Sequence, residues 1–236
     1  MTKNNISILI YTQKGDKNIK DCLKSAKELS DNVIFIYPDD NFVETVRQTG
    51  INQAKTDWVL ILDADERLTK DLANEIRRVT SQTSNKTYYK IPRKNIFGKI
   101  KWLQHGGWWP DYQIRLINKK YFVSWPKRIH STPIVRGKIG YLKSPFLHYF
   151  HGDLEKMVQK TIVFEDIESR LLYKSGKTAR TTTFFRKYFA ELWRRLFKTF
   201  GFLDGPFGVI ESIYQAFSKT ITYLFLYEKR NKGRSV

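Results

Sequence analysis

Residues Asp57–Leu68, DWVLILDADERL, run five apolar residues, Trp58 to Leu62, directly into Asp63, Ala64, Asp65 and Glu66. A continuous apolar run of this length, bounded by turn-forming residues, reads as a strand buried on both faces. Upstream, ISILIY (Ile6 to Tyr11) and NVIFIY (Asn32 to Tyr37) read the same way. Between them the spacing of Ile19, Cys22, Leu23 and Ala26 predicts an amphipathic helix over 17–29, and 41–56 predicts another, broken at Gly50. Strand, helix, strand, helix, strand implies an α/β fold with a mostly parallel sheet and right-handed crossovers. Ligands of such sheets sit at the carboxyl ends of the strands, here Thr12 to Asp16, Pro38 to Asp40 and Asp63 to Glu66.

Residues two apart in an extended segment point the same way, so Asp63 and Asp65 are expected to aim their carboxylates at one spot. Two converging carboxylates suit Mg²⁺ or Mn²⁺, with the shell completed by substrate phosphates. The competing explanation is that these acids start the helix TKDLANEIRRV, but Thr69 already suits its N-cap.

Composition narrows the class of partner. The chain has 236 residues, 41% hydrophobic and 15% aromatic, enough for one good core or one core with an appendage. Forty-two Lys and Arg against 23 Asp and Glu give a formal charge of +19, which favours anionic partners. Nucleic acid is not expected, because no RNP, zinc or helix-turn-helix signature is present. A single cysteine, Cys22, forms no internal disulfide and reads as a small apolar core residue. The apolar run near the N-terminus is too short for a signal-peptide core, and no window of eighteen apolar residues lacks charge, so a cytoplasmic protein is expected.

Together, ISILIYTQKGDKNIKDCLKSAK and TDWVLILDADERLTKDL resemble the nucleotide-sugar-binding half of family 2 glycosyltransferases, which have the GT-A fold. WLQHGGWWPDYQIRLINK, RIHSTPIVRGKIGYLKSPFLHY and GFLDGPFGVIESIYQAF resemble the bacterial branch that contains lipopolysaccharide core glycosyltransferases. The resemblance spans about Ile6 to Tyr227. It implies metal-dependent, inverting transfer of a hexose or heptose from a nucleoside diphosphate, with a lean to uridine, onto a lipid-linked or glycan acceptor. Where relatives have Asn-Glu-Glu after the first strand, this chain has Gln13, Lys14, Gly15 and Asp16, so Thr12 and Asp16 carry over as nucleotide contacts. Relatives then have a D-S-x-S-x-D loop and a further helix and strand that this chain lacks, leaving Asp39 or Asp40 to face the base.

The domain expectation is a catalytic region over 1–152, divided into a nucleotide-sugar half (1–80) and an acceptor half (81–152), followed by a helical region over 153–236. Within the acceptor half, Asp111 is the expected general base, taking a proton from the acceptor hydroxyl. The alternative role for Asp111 is turn chemistry after Pro110. Trp108 and Trp109 are candidates to stack on a sugar, and Arg115 to grip the diphosphate. His130 is the expected metal ligand beside Asp65, because relatives have His-Glu where this chain has His130 and Ser131. His105, His148 and His151 adjoin aromatic residues or glycine and read as packing or loop residues.

From Phe184 to Phe200, FFRKYFAELWRRLFKTF places nine apolar residues at helical spacing among Arg and Lys. Such a helix suits an anionic membrane surface, and the same pattern also fits a helix packed on a core. GFLDGPFG then breaks the pattern, and a second apolar helix is predicted over 209–227. A peripheral enzyme on the inner face of the cell membrane is the resulting expectation. An aspartate phosphohydrolase is the other Mg²⁺ enzyme considered, but Arg67 occupies the fifth position of its D-x-D-x-T/V pattern and two strands precede.

Overall fold

A computed structural model describes residues 5–38, 43, 46–126, 131–150 and 154–232. Asp39 and His130 lie outside the described residues. The chain divides into two compact units, Met1–Lys94 with Pro110–Tyr149, and Asn95–Trp109 with Phe150–Val236.

The first unit follows the alternation read from the sequence: β1 (Ile6–Tyr11), α1 (Ile19–Lys27), β2 (Val33–Ile36), α2 (Arg47–Gln53), β3 (Trp58–Asp63), β4 (Glu66–Arg67) and α3 (Lys70–Ser81). It continues through β5 (Lys86–Phe97), and the short β6 (Lys101–Trp102) that follows in sequence falls in the second unit. Then come β7 (Asp111–Asn118), β8 (Phe122–Ser124), β9 (Ile134–Val135), β10 (Lys138–Tyr141) and β11 (Phe146–Phe150). The sheet order is β2-β1-β3-β7-β5-β11-β4. β2 and β3 flank β1 in parallel, whereas β7 runs antiparallel to β3.

Both faces of the parallel strands are covered, which is why their sequences do not alternate with polar residues. Ile6, Ile8, Ile10, Leu60 and Leu62 pack on the α1 and α3 side. Leu9, Tyr11, Val59 and Ile61 pack with Ile51 and Trp125 on the other. Thr69 caps α3 as expected, its side chain accepting the Leu72 N–H. Contrary to expectation, α2 runs through Gly50. A Cβ there would lie 2.4 Å from the Tyr11 hydroxyl, so the glycine permits a close approach to β1 and does not break the helix. Glu66 does not start a helix either: it lies in β4, fully buried.

The second unit contains α4 (Leu154–Lys174), α5 (Thr181–Trp193), a π-helical turn (Arg194–Lys198), a 3₁₀ turn (Gly201–Asp204) and α6 (Pro206–Lys232). Its core joins Phe97, Leu103 and Trp108 to Phe150, Met157 and Phe207, so residues 95–109, expected with the acceptor half, pack with the helices. Buried Asp204 fixes that excursion by accepting the Gln104 and His105 N–H groups at 2.9 and 2.8 Å. No helix among the described residues is long and apolar enough to cross a membrane.

Candidate active site

The opening stretch forms a strand and then a tight turn. The extended backbone ends at Asp63, and Ala64 and Asp65 turn the chain into β4. Period-two logic therefore fails at the turn, and the two aspartates have different partners. Asp63 is clamped by arginines: Arg47 Nη2 donates to it at 2.9 Å and Arg115 Nη2 at 2.7 Å. The same Arg115 nitrogen donates to Glu66 at 2.6 Å, and Glu66 also accepts the Asp63 N–H at 3.0 Å, closing the turn. Arg47 and Arg115 lie 16 residues before and 52 after Asp63.

This cluster sets the protonation of its members. Burial alone raises the Asp63 carboxyl, but the charges and hydrogen bonds of Arg115 and Arg47 outweigh it and hold the group well below the usual carboxylate range. Glu66 is pushed up, first by burial and then by the Asp63 charge, with Arg115 and Arg93 only partly offsetting them. Arg115 is held firmly protonated by the two carboxylates despite its burial.

A cavity of about 420 Å³ opens beside the cluster, within the range of small-molecule sites, and Arg47, Asp63, Arg93, Gln113, Arg115 and Trp125 line part of it. Two buried guanidinium nitrogens, Arg47 Nη1 and Arg115 Nε, have no hydrogen-bond partner among the described residues. Unsatisfied buried donors are costly. Tyr11 positions Arg47 by donating to its carbonyl at 2.9 Å, and the Tyr11 and Trp125 rings flank the guanidinium. Trp125 is held in turn by Ser131, which accepts its indole N–H at 3.0 Å and donates to the Pro126 carbonyl.

Asp111 begins β7 and is gripped by Arg93, whose Nε and Nη2 each approach one carboxylate oxygen at 2.7 Å, while Gln113 donates to the other at 2.6 Å. Thr12 is buried beyond the end of β1, its hydroxyl donating to the Gln13 carbonyl. Asp16 accepts the Asn18 N–H at 2.8 Å just before α1. Trp108 and Trp109 belong to the second unit and are engaged in packing there. Trp108 lies against Phe150 with the Arg195 guanidinium over its ring, and Trp109 meets Trp102 edge-on.

Asp65 is one-third exposed and meets His148, Oδ2 to Nε2 at 3.5 Å. The histidine that reaches Asp65 among the described residues is therefore one that sequence reading assigned to packing. The register that pairs His148 with Glu66 across β11 and β4 brings it there, and no local pattern announces that register. Arg47, Arg93 and Trp125 were missed for the same reason, and Arg47 proves to lie on the buried side of α2.

No group of three or more His, Cys, Asp or Glu is placed to hold a metal among the described residues. The pair Asp65 and His148 nevertheless fits a divalent cation that takes one or two protein ligands and fills its shell with phosphate oxygens. Asp63 does not fit that role, since both of its oxygens are committed to arginine.

Curated relatives include two uncharacterized glycosyltransferases. That of Rickettsia conorii is 25% identical, covering 98% of this chain and 93% of the relative, and that of Rickettsia typhi is 27% identical, covering 98% and 89%. Among solved structures, a glycosyltransferase involved in the glycosylation of the major capsid of PBCV-1 is 16% identical with a TM-score of 0.33. It covers 49% of this chain and 60% of that one, a likeness too slight to argue from. The model of the family described as Glycosyl transferase family 2 matches residues 2–139, more than half the chain. The chain belongs to glycosyl transferase family 2, and its α/β unit is a GT-A-like fold.

Proposed function

We propose that the chain is an inverting glycosyltransferase that moves a hexose or heptose from a nucleoside diphosphate, read as UDP, to a lipid-linked or cell-surface glycan acceptor of the lipopolysaccharide core type. The observation that carries this reading is the cavity lined by the guanidinium donors of Arg47, Arg93 and Arg115. Such donors match the charge that develops on a departing diphosphate.

In this reading Thr12 and Asp16 lie along the nucleotide edge, and Asp39, outside the described residues, is assigned to the nucleotide. Asp63 holds Arg47 and Arg115 in place without touching a metal itself. Asp65 and His148 would hold Mg²⁺ or Mn²⁺, which when bound would supply positive charge opposite the leaving diphosphate. Asp111 takes the proton from the acceptor hydroxyl as that oxygen bonds to the anomeric carbon. The bond from that carbon to the phosphate oxygen breaks on the opposite side, and its electron pair leaves with the diphosphate. Arg93 and Gln113 orient Asp111 for this step, so the protein contributes mainly placement and charge compensation.

Calorimetric titration of wild type, Asp65→Ala and His148→Ala with UDP and GDP, with and without Mn²⁺, tests the reading. UDP is expected to bind wild type only with Mn²⁺, and both variants are expected to lose that dependence. Absence of binding by either nucleotide, or equal binding without metal, defeats it.

A further inference from the structure

The aromatic stripe of α5 divides into two faces. Phe184 meets Tyr227 edge-on at 5.7 Å, and Lys187 lies over the Tyr223 ring, so this side packs on α6. Phe185, Phe189, Trp193 and Phe197 form a separate row at a spacing of four, each 47–67% exposed. A row at that spacing drifts around an α-helix of 3.6 residues per turn. The wider π turn brings Phe197 back beneath Trp193, with ring centroids 4.9 Å apart. Phe200, in the left-handed conformation at φ +58°, and the following 3₁₀ turn then continue the row through Phe202 and Leu203. Ring contacts from Phe197 to Phe202 and from Phe202 to Phe200 make one contiguous patch.

A contiguous exposed patch of large apolar side chains marks an interaction surface, and its charge identifies the occupant. Thr181 to Lys198 carry five basic residues and one acidic residue. That one, Glu191, is taken by Arg194 and Arg195. Arg186, Arg194 and Lys198 each follow a member of the aromatic row by one position, placing a basic row a quarter turn away. A second copy of this chain meeting the patch across a two-fold axis would bring like charge against like. An anionic bilayer satisfies both rows, with the rings at the acyl boundary and the cations at the headgroups.

We infer that the row from Phe185 to Leu203 is a docking face for anionic membrane, on which α5 lies in the plane of the interface. This inference is independent of the transfer chemistry, because the binding is read without donor or acceptor. Its consequence is to hold the enzyme at the surface where lipid-linked acceptors are found.

Flotation with vesicles of phosphatidylcholine, alone or mixed with phosphatidylglycerol, tests it. Wild type is expected to float with the mixed vesicles and to stay behind with phosphatidylcholine alone. The combined variant Phe185→Ser, Phe189→Ser, Trp193→Ser is expected to bind the mixed vesicles at least tenfold more weakly. Arg186→Gln with Lys198→Gln, like added salt, is expected to weaken the same binding while leaving the apolar row intact. All five side chains are exposed, so thermal melts matching wild type will verify the fold of each variant. Failure of wild type to float, or unchanged flotation of the serine variant, overturns the inference. So does a concentration-dependent dimer in sedimentation that the serine variant abolishes without any vesicle binding, which would make a second copy the occupant.

Discussion

One nitrogen of Arg115 serves two carboxylates, Asp63 and Glu66, in a setting where the arginine is 5% exposed and the glutamate fully buried. A buried pair adds little when intact but costs heavily when halved, because the remaining charge has neither water nor partner. Arg115→Ala is therefore expected to destabilise the first unit by about 3–5 kcal/mol. Adding Glu66→Gln should recover part of that loss, since the stranded group is then neutral. Urea midpoints of the single and double variants check this, and a loss under about 1 kcal/mol would mean the cluster relaxes into solvent. At this scale the sequence was legible where chemistry is local. The buried strand that ends at Asp63 and Thr69 as a cap were readable from their neighbours. The commitment of Asp63 to arginine was not, because its partners arrive from α2 and β7 through tertiary register.

Strands β1 and β3 were readable from apolar runs alone, since a strand covered on both faces has no other composition available. Helix α2 was misread, and the stripe of α5 was left with two readings, for a shared reason: periodicity shows which residues are apolar, not what covers them. Gly50 looked like a breaker and is a contact point, while the nine-residue stripe turned out to serve two faces. Helix α6 offers an element-scale test. Glu211 is fully buried there, and burial pushes its carboxyl up to about 7, with the Gln215 hydrogen bond and the Arg195 charge only partly offsetting it. The folded chain keeps this proton to higher pH than the unfolded chain does. It therefore binds more protons between about 4.5 and about 7, and stability must fall as pH rises through that window. The expected loss is on the order of 3 kcal/mol. Glu211→Gln should flatten the decline and stabilise the protein at pH 8. Denaturation midpoints at pH 5 and pH 8 decide it, and parallel behaviour of variant and wild type would show that Glu211 is not the titrating group.

For the molecule as a whole, a division into two parts was expected with a boundary at 152/153, and the two compact units differ from it chiefly in where residues 95–109 belong. Residues 95–109 were read with the acceptor half because they lie between two of its strands in sequence, yet Phe97, Leu103 and Trp108 share a core with Met157 and Phe207. Each unit has a buried cluster of its own, which is the arrangement in which two separate transitions are expected. Calorimetry should resolve two transitions, and substitutions should move them separately. Gly208→Ala is the clean probe of the second unit, since its Cβ would sit 2.0 Å from the Gly201 carbonyl oxygen, where backbone must yield. Overpacking of this kind costs about 1–3 kcal/mol or more. The second unit's transition is expected to drop in temperature while the first unit's holds, and Arg115→Ala should do the reverse. A single peak that both variants shift equally would show that the two cores unfold as one cooperative body. The donor site could then not be treated separately from the helices, and the loss of UDP binding in any variant would have to be weighed against global unfolding before it was assigned to chemistry.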